Sequence, residues 1–200
     1  MSPVLYLNGA NYDGKHRLYT ILAANTNPFY VGDLVTPVAD GDATRGIPAI
    51  TLAAAGAVAN GVIVAVGTIP DGGPYANPAN LNQNFRPTGA QSVNYYAAVV
   101  DDPNVIFEIQ EGGAGTNLAK SSLNRNANII YAAPATGVVV SGTQLDNGSV
   151  TTTSTLNLKI LSLARRPDNN FVTSPSTGGG AQKWWVLINN HYFRAGIASL

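Results

Sequence analysis

Ser154-Thr155-Leu156-Asn157-Leu158-Lys159-Ile160-Leu161-Ser162-Leu163 is a strand written in period two. Leu156, Leu158 and Ile160 fall on one face and Asn157 and Lys159 on the other, the alternation of a half-buried β-strand. Leu161 and Leu163 then switch parity, which predicts a bulge or a strand end buried on both faces. The signature recurs outward from this run. Downstream, a Gly-rich loop from Ser174 to Gly180 precedes a last strand, Lys183 to Phe193. Upstream, Asn94 to Val100, Asn104 to Gln110, Asn128 to Ala132 and Gly137 to Val140 read as strands, and Gly61-Val62-Ile63-Val64-Ala65-Val66-Gly67 reads as one covered on both sides.

Turn chemistry divides the N-terminal part in the same way. Val4 to Leu7 runs into Asn8-Gly9, and Arg17 to Ala23 follows Asp13-Gly14, so a hairpin or short meander is expected to open the chain. Phe29 to Val38 carries Gly32-Asp33 between two apolar stretches and closes at Asp40-Gly41. Asp101-Asp102-Pro103-Asn104 predicts a hairpin between its flanking strands. Ala53-Ala54-Ala55 suits a helical turn, so at most one or two short helices are expected. No fixed repeat is present. The expected fold is therefore a single all-β domain over 1–200, a β-barrel or jelly-roll-like β-sandwich with long Pro/Gly/Asn-rich loops. The longest of these, about 69–92, contains Pro70, Pro74, Pro78 and Pro87 and reads as an extended arm lying on a neighbouring subunit.

Composition narrows the function classes. The 200 residues include 11 basic and 11 acidic side chains, two His and no Cys, and the formal net charge is zero. The charges are scattered singly, without the basic stripe that nucleic acid or an anionic membrane requires. Near-zero net charge instead favours self-association. The longest apolar run, Ala53 to Val66, is broken by Gly56, Asn60 and Gly61 and is too short to span a bilayer. Met1-Ser2-Pro3-Val4 lacks the basic and apolar regions of a secretion signal.

Candidate chemistry is sparse. His16 and His191 have no neighbours at metal-ligand spacing. Asp101 and Asp102 are adjacent in a turn and suit amide capping. Glu108 and Glu111 have no placed carboxylate partner. Asp40-Gly41-Asp42 lacks the later ligands of a calcium loop, and Gly112-Gly113-Ala114-Gly115 lacks the Lys-Ser/Thr of a phosphate cradle. Arg165-Arg166 is the only basic doublet, suited to a solvated turn or to a contact with a neighbour. The expectation is a non-enzymatic protein without catalytic residues, cofactor or metal. In Trp184-Trp185-Val186-Leu187-Ile188 both faces are apolar, so one Trp enters the core and the other needs a second cover, from another sheet or another subunit. The candidate interface residues are Tyr75, Phe85 and Arg86 from the Pro-rich loop and Trp185, Tyr192 and Arg194 from the terminal strand.

Three runs carry a resemblance: Thr152-Thr153-Ser154-Thr155-Leu156-Asn157-Leu158-Lys159-Ile160-Leu161, Arg166-Pro167-Asp168-Asn169, and Lys183-Trp184-Trp185-Val186-Leu187-Ile188-Asn189-Asn190-His191. Together they resemble a stretch of tailed-bacteriophage virion proteins, the head cement or decoration proteins, over Asp101 to Gly196. The resemblance implies a virion protein made in the bacterial host cytoplasm and placed on the outer capsid surface. There it binds the major capsid protein, bridges and stabilises neighbouring capsomers, and associates with itself as a dimer or trimer. No nucleic acid or membrane partner is expected. The alternative is a phage fibre or receptor-binding β domain.

Overall fold

The computed structural model describes residues 1–68, 85–131, 139–171 and 182–194. Their first eight strands are β1 (Ser2–Tyr6), β2 (Arg17–Ile21), β3 (Phe29–Tyr30), β4 (Leu34–Gly41), β5 (Pro48–Leu52), β6 (Gly61–Gly67), β7 (Phe85–Arg86) and β8 (Tyr95–Val100). The remaining six are β9 (Val105–Gly112), β10 (Asn126–Ala127), β11 (Ile129–Tyr131), β12 (Thr143–Asp146), β13 (Leu158–Leu163) and β14 (Lys183–Ile188). Lys120–Ser122 forms a single 3-10 turn. The chain is all-β, as its alternation predicts.

Two assemblies share these strands. A closed barrel runs β2-β5-β4-β6-β8, and a seven-stranded sheet runs β10-β13-β14-β9-β12-β11 with β1 added on β9. β3 and β7 form a separate small pair. Ile21, Phe29, Val35, Ile50, Ile63 and Val99 fill the barrel. A second core joins the barrel wall to the sheet, where Leu34, Val62 and Val100 pack with Phe107, Ile160 and Trp184. Within the barrel wall, β6 and β8 approach closely at Gly61, where a Cβ would lie 2.2 Å from the Val100 carbonyl oxygen.

Long-range partners depart from the expectation in three places. β8 and β9 do not form a hairpin. β8 pairs with β2 and β6, while β9 pairs with β1, β12 and β14. The Asp101–Asn104 turn is thus the crossing from barrel to sheet, because both edges of each strand are already taken. Nor is the opening a hairpin of strands: the chain turns at Gly9 with φ 86°, but only the Leu5↔Asn11 bridge follows. Thirdly, the described end of the Pro-rich loop pairs within the chain, β7 meeting β3 at Phe29↔Arg86 and Tyr30↔Phe85, while residues 69–84 lie outside the described residues. Tyr75, the Ser174–Gly180 loop and half of the Gly137–Val140 run lie outside the described residues, and the other half, Val139 and Val140, is not in a strand.

The quoted strand behaves as its parity requires. Leu158 and Ile160 are fully buried, and the pairing with β14 shifts register between Ile160 and Ser162. The strand begins at Leu158, later than expected, and just ahead of it the Asn157 side chain bonds the 54–57 loop while its carbonyl accepts from the Asn189 amide.

Candidate binding surface

The expected interface residues do not converge. Arg86 is not at a surface at all. Its side chain is fully buried, with one terminal nitrogen donating to the carbonyls of Asn27 and Pro87 and the other to those of Ala23, Asn25 and Gly89. Phe85 is half-buried and stacks on Tyr30 with ring centroids 5.8 Å apart. Trp184 enters the core, while Trp185 is half-buried with the Arg165 guanidinium 5.6 Å above its ring. The second cover for the Trp pair is therefore at least partly an arginine of the same chain. Tyr192 and Arg194 lie near the barrel mouth, where Arg194 donates to the Pro103 carbonyl at 3.0 Å.

That mouth holds a groove of about 540 Å³. One wall is Arg17, Leu18 and Tyr19 of β2; the other is Val38, Ala39 and Asp40 of β4 with Pro48 of β5. Tyr192 and Phe193 close one side. Phe193 is 44% exposed, in T-shaped contact with Tyr192, and carries the Arg17 guanidinium 5.1 Å from its ring centre. Below the rim, the Tyr19 hydroxyl donates to Asp101 at 2.6 Å. Burial and that carboxylate push the Tyr19 pKa up to about 12, while the Asn60 amide beside it acts in the opposite sense. Asn60 is fully buried, and its side-chain amide makes no hydrogen bond of normal geometry among the described residues. Barrel mouths are common sites of concave recognition.

Sequence reasoning named Tyr192 here but missed Arg17 and the β4 wall. Nothing local marks them, since the groove is assembled from segments distant in the chain. Asp102 does cap a turn amide, that of Asn104 at 2.8 Å, but Asp101 instead faces Tyr19 and Arg17.

The other acidic residues have structural partners. Arg166 grips Glu108 with two hydrogen bonds, at 3.0 and 2.6 Å, so it serves its own sheet. One Glu111 oxygen accepts from the Trp184 indole at 3.1 Å and the Leu118 amide at 3.0 Å. Burial raises the Glu111 pKa. Glu108 and Glu111 have opposite parity on β9 and cannot converge as an acid pair. Asp42 accepts from Tyr96, Arg45 and two turn amides, and the Tyr96 hydroxyl leads in lowering its pKa. Among the described residues no group of three or more His, Cys, Asp or Glu is placed to hold a metal, and no helix is long and apolar enough to cross a membrane.

His191 is the one fully buried imidazole, bridged to Ala59 just ahead of β6. Its Nδ1 accepts from the Phe193 amide at 3.1 Å, which leaves the neutral ring's proton on Nε2, where no partner stands among the described residues. Burial, reinforced by Arg194 and opposed by Asp102, lowers its pKa to about 4. The unfolded chain therefore takes up a proton that the folded chain refuses as pH falls from about 6.5. Stability is present in full above that pH and drops by about 3 kcal/mol as pH approaches 4. Asp33 and Glu111, whose pKa values burial raises, act in the opposite sense and gain stability on acidification. The comparison with His191→Asn isolates the imidazole: urea midpoints between pH 7 and 4.5 should fall more steeply for the native chain than for the variant.

No protein-family model, curated protein or solved structure matches this chain.

Proposed function

We propose that the chain is a non-enzymatic structural protein of a tailed-phage virion, a cement or decoration protein that binds the outside of the head through the major capsid protein. The observation that carries this reading is the location of the resembling residues. Asn157 clamps the 54–57 loop and the Ile129 amide, and Arg166 clamps Glu108. Asn169 bonds Ala164 and both backbone groups of Lys183, while Asn189 holds the carbonyls of Ser154 and Leu156. A pattern in which Asn157, Arg166, Asn169 and Asn189 fix loops and strand ends is a scaffold pattern, and its strands β13 and β14 belong to the seven-stranded sheet. Low charge and exposed apolar side chains such as Val93, Val140 and Phe193 suit repeated weak contacts on a symmetric shell.

The mechanism is binding alone. A small homo-oligomer placed at symmetry-related positions bridges capsomers, and many linked contacts give strong holding from modest single-site affinity. The test is to mix purified protein with heads stripped of it and image them by electron cryomicroscopy, beside size-exclusion chromatography of the protein alone. Ordered density at symmetry-related sites on the shell is the expected result. Bare shells together with a stable trimer in solution would overturn it in favour of a fibre or receptor-binding domain.

A further inference from the structure

The barrel is sewn unevenly, and both gaps in its seam open into the groove at its mouth. β2 pairs with β8 along its whole length, from Arg17↔Val99 to Ile21↔Tyr95, but meets β5 only at Thr20↔Ala49. The edge of β2 that faces β5 is therefore unpaired at Arg17, Leu18 and Tyr19 among the described residues. β4 breaks register with β5 between Val38 and Gly41, so Ala39 and Asp40 have no partner there, and it meets β6 only through Leu34 and Val35. Both interruptions line the same groove.

Unpaired strand edges are templates for another strand, since their amides and carbonyls already point outward in ladder geometry. The groove's side chains add a chemical preference. Leu18, Val38, Pro48 and Tyr192 offer apolar contact, Arg17 is an exposed cation with 66% of its side chain accessible, and Asp40 on the opposite wall is an exposed anion, so an acidic group is favoured at the Arg17 end alone. Arg17 meets Asp101 through a single 3.5 Å approach, and that carboxylate already accepts from Tyr19. Guanidinium donors therefore remain for a second carboxylate, and the Phe193 ring holds the guanidinium at the groove rim.

We propose that this groove receives an extended segment of the shell protein as an added β-strand. The segment pairs its backbone with β2 at Arg17–Tyr19, seats alternate apolar side chains against Leu18 and Val38, and directs an acidic side chain to Arg17. The inference rests on the shell-binding reading and specifies where and how the contact is made.

The experiment places the photo-crosslinking residue p-benzoylphenylalanine at Leu18 and, in a separate full-length chain, at Ala39. Each chain is bound to stripped heads, irradiated, and mapped by mass spectrometry. Crosslinks from both positions to one contiguous segment of the major capsid protein are expected. Arg17→Gln should weaken shell binding by about tenfold, with the thermal melt unchanged because the lost ion pair is exposed on the Arg17 side. Shells that bind the protein but yield crosslinks only to a second copy, or none from the groove, overturn the strand-addition proposal and leave the cement reading standing. Failure of the unmodified chain to bind shells overturns both.

Discussion

Arg86→Leu is expected to lower stability by about 3–5 kcal/mol, a fall of roughly 10 °C in melting temperature for a chain of this size. The size follows from what the guanidinium holds. It is fully buried between the rings of Phe29 and Tyr95, at 6.0 and 5.8 Å, and among the described residues no carboxylate is its partner. Burial lowers its pKa, and backbone carbonyls take the role of counter-charge. Through them it ties the segment after β2, at Ala23, Asn25 and Asn27, to the segment after β7, at Pro87 and Gly89. Leucine fills much of the space but withdraws the guanidinium from the Asn25, Asn27 and Pro87 carbonyls, whereas those of Ala23 and Gly89 keep Gln91 as a donor. Arg86→Lys keeps the charge yet lacks the planar fork, so it should recover less than half of the loss. Urea unfolding of both variants, followed by circular dichroism, checks this. A leucine variant within about 1 kcal/mol of the native chain would mean that the carbonyls find other donors.

Asn157→Leu is expected to cost about 3 kcal/mol and to loosen one place first. Both halves of this buried amide are saturated. Its oxygen accepts from the amides of Gly56 at 2.9 Å and Ile129 at 3.3 Å, and its nitrogen donates to the carbonyls of Ala54 at 3.1 Å and Ala57 at 2.8 Å. One side chain thus pins the loop leaving β5 against the start of β11. Asn157→Asp is the sharper probe, because it preserves both acceptors and aims a carboxylate at two carbonyls. It should be at least as damaging as leucine near neutral pH. Amide hydrogen exchange should quicken first at Gly56 and Ile129, ahead of Val62 in the barrel. Uniform quickening across all three would argue against a local clasp.

Parity was legible in the sequence, and partnership was not. Alternation along Leu156 to Leu163 revealed both the buried face and the bulge, because side-chain direction is a property of one strand alone. The Asp101–Asn104 turn carries every local sign of a hairpin, yet its flanking strands separate into different sheets, since pairing is decided by distant strands that compete for the same edges. β12, Thr143-Gln144-Leu145-Asp146, escaped notice because its one large apolar residue leaves little alternation to read. Of the candidate surface, Tyr192 was visible as an aromatic near a strand end. Arg86 was misread because an arginine beside prolines suggests solvent, and only its carbonyl partners, far from it in the chain, reveal a buried role. Asn157 looked like the solvent face of a strand and proved to be a four-way clasp.

The strand order also sets a timetable for the growing polypeptide. β1 has no ladder until β9 exists, β2 has none until β5 and β8 exist, and β14, the last described strand to leave the ribosome, lies between β9 and β13. β4–β5, β11–β12 and β13–β14 join consecutive strands, but β14 is needed to link β13 to β9, so the sheet completes only after translation has passed Ile188, and its assembly is slow for a chain of this length. Nascent chains stalled before Lys183 keep β9 and β13 apart, each with an open edge, and those are the species from which aggregation starts.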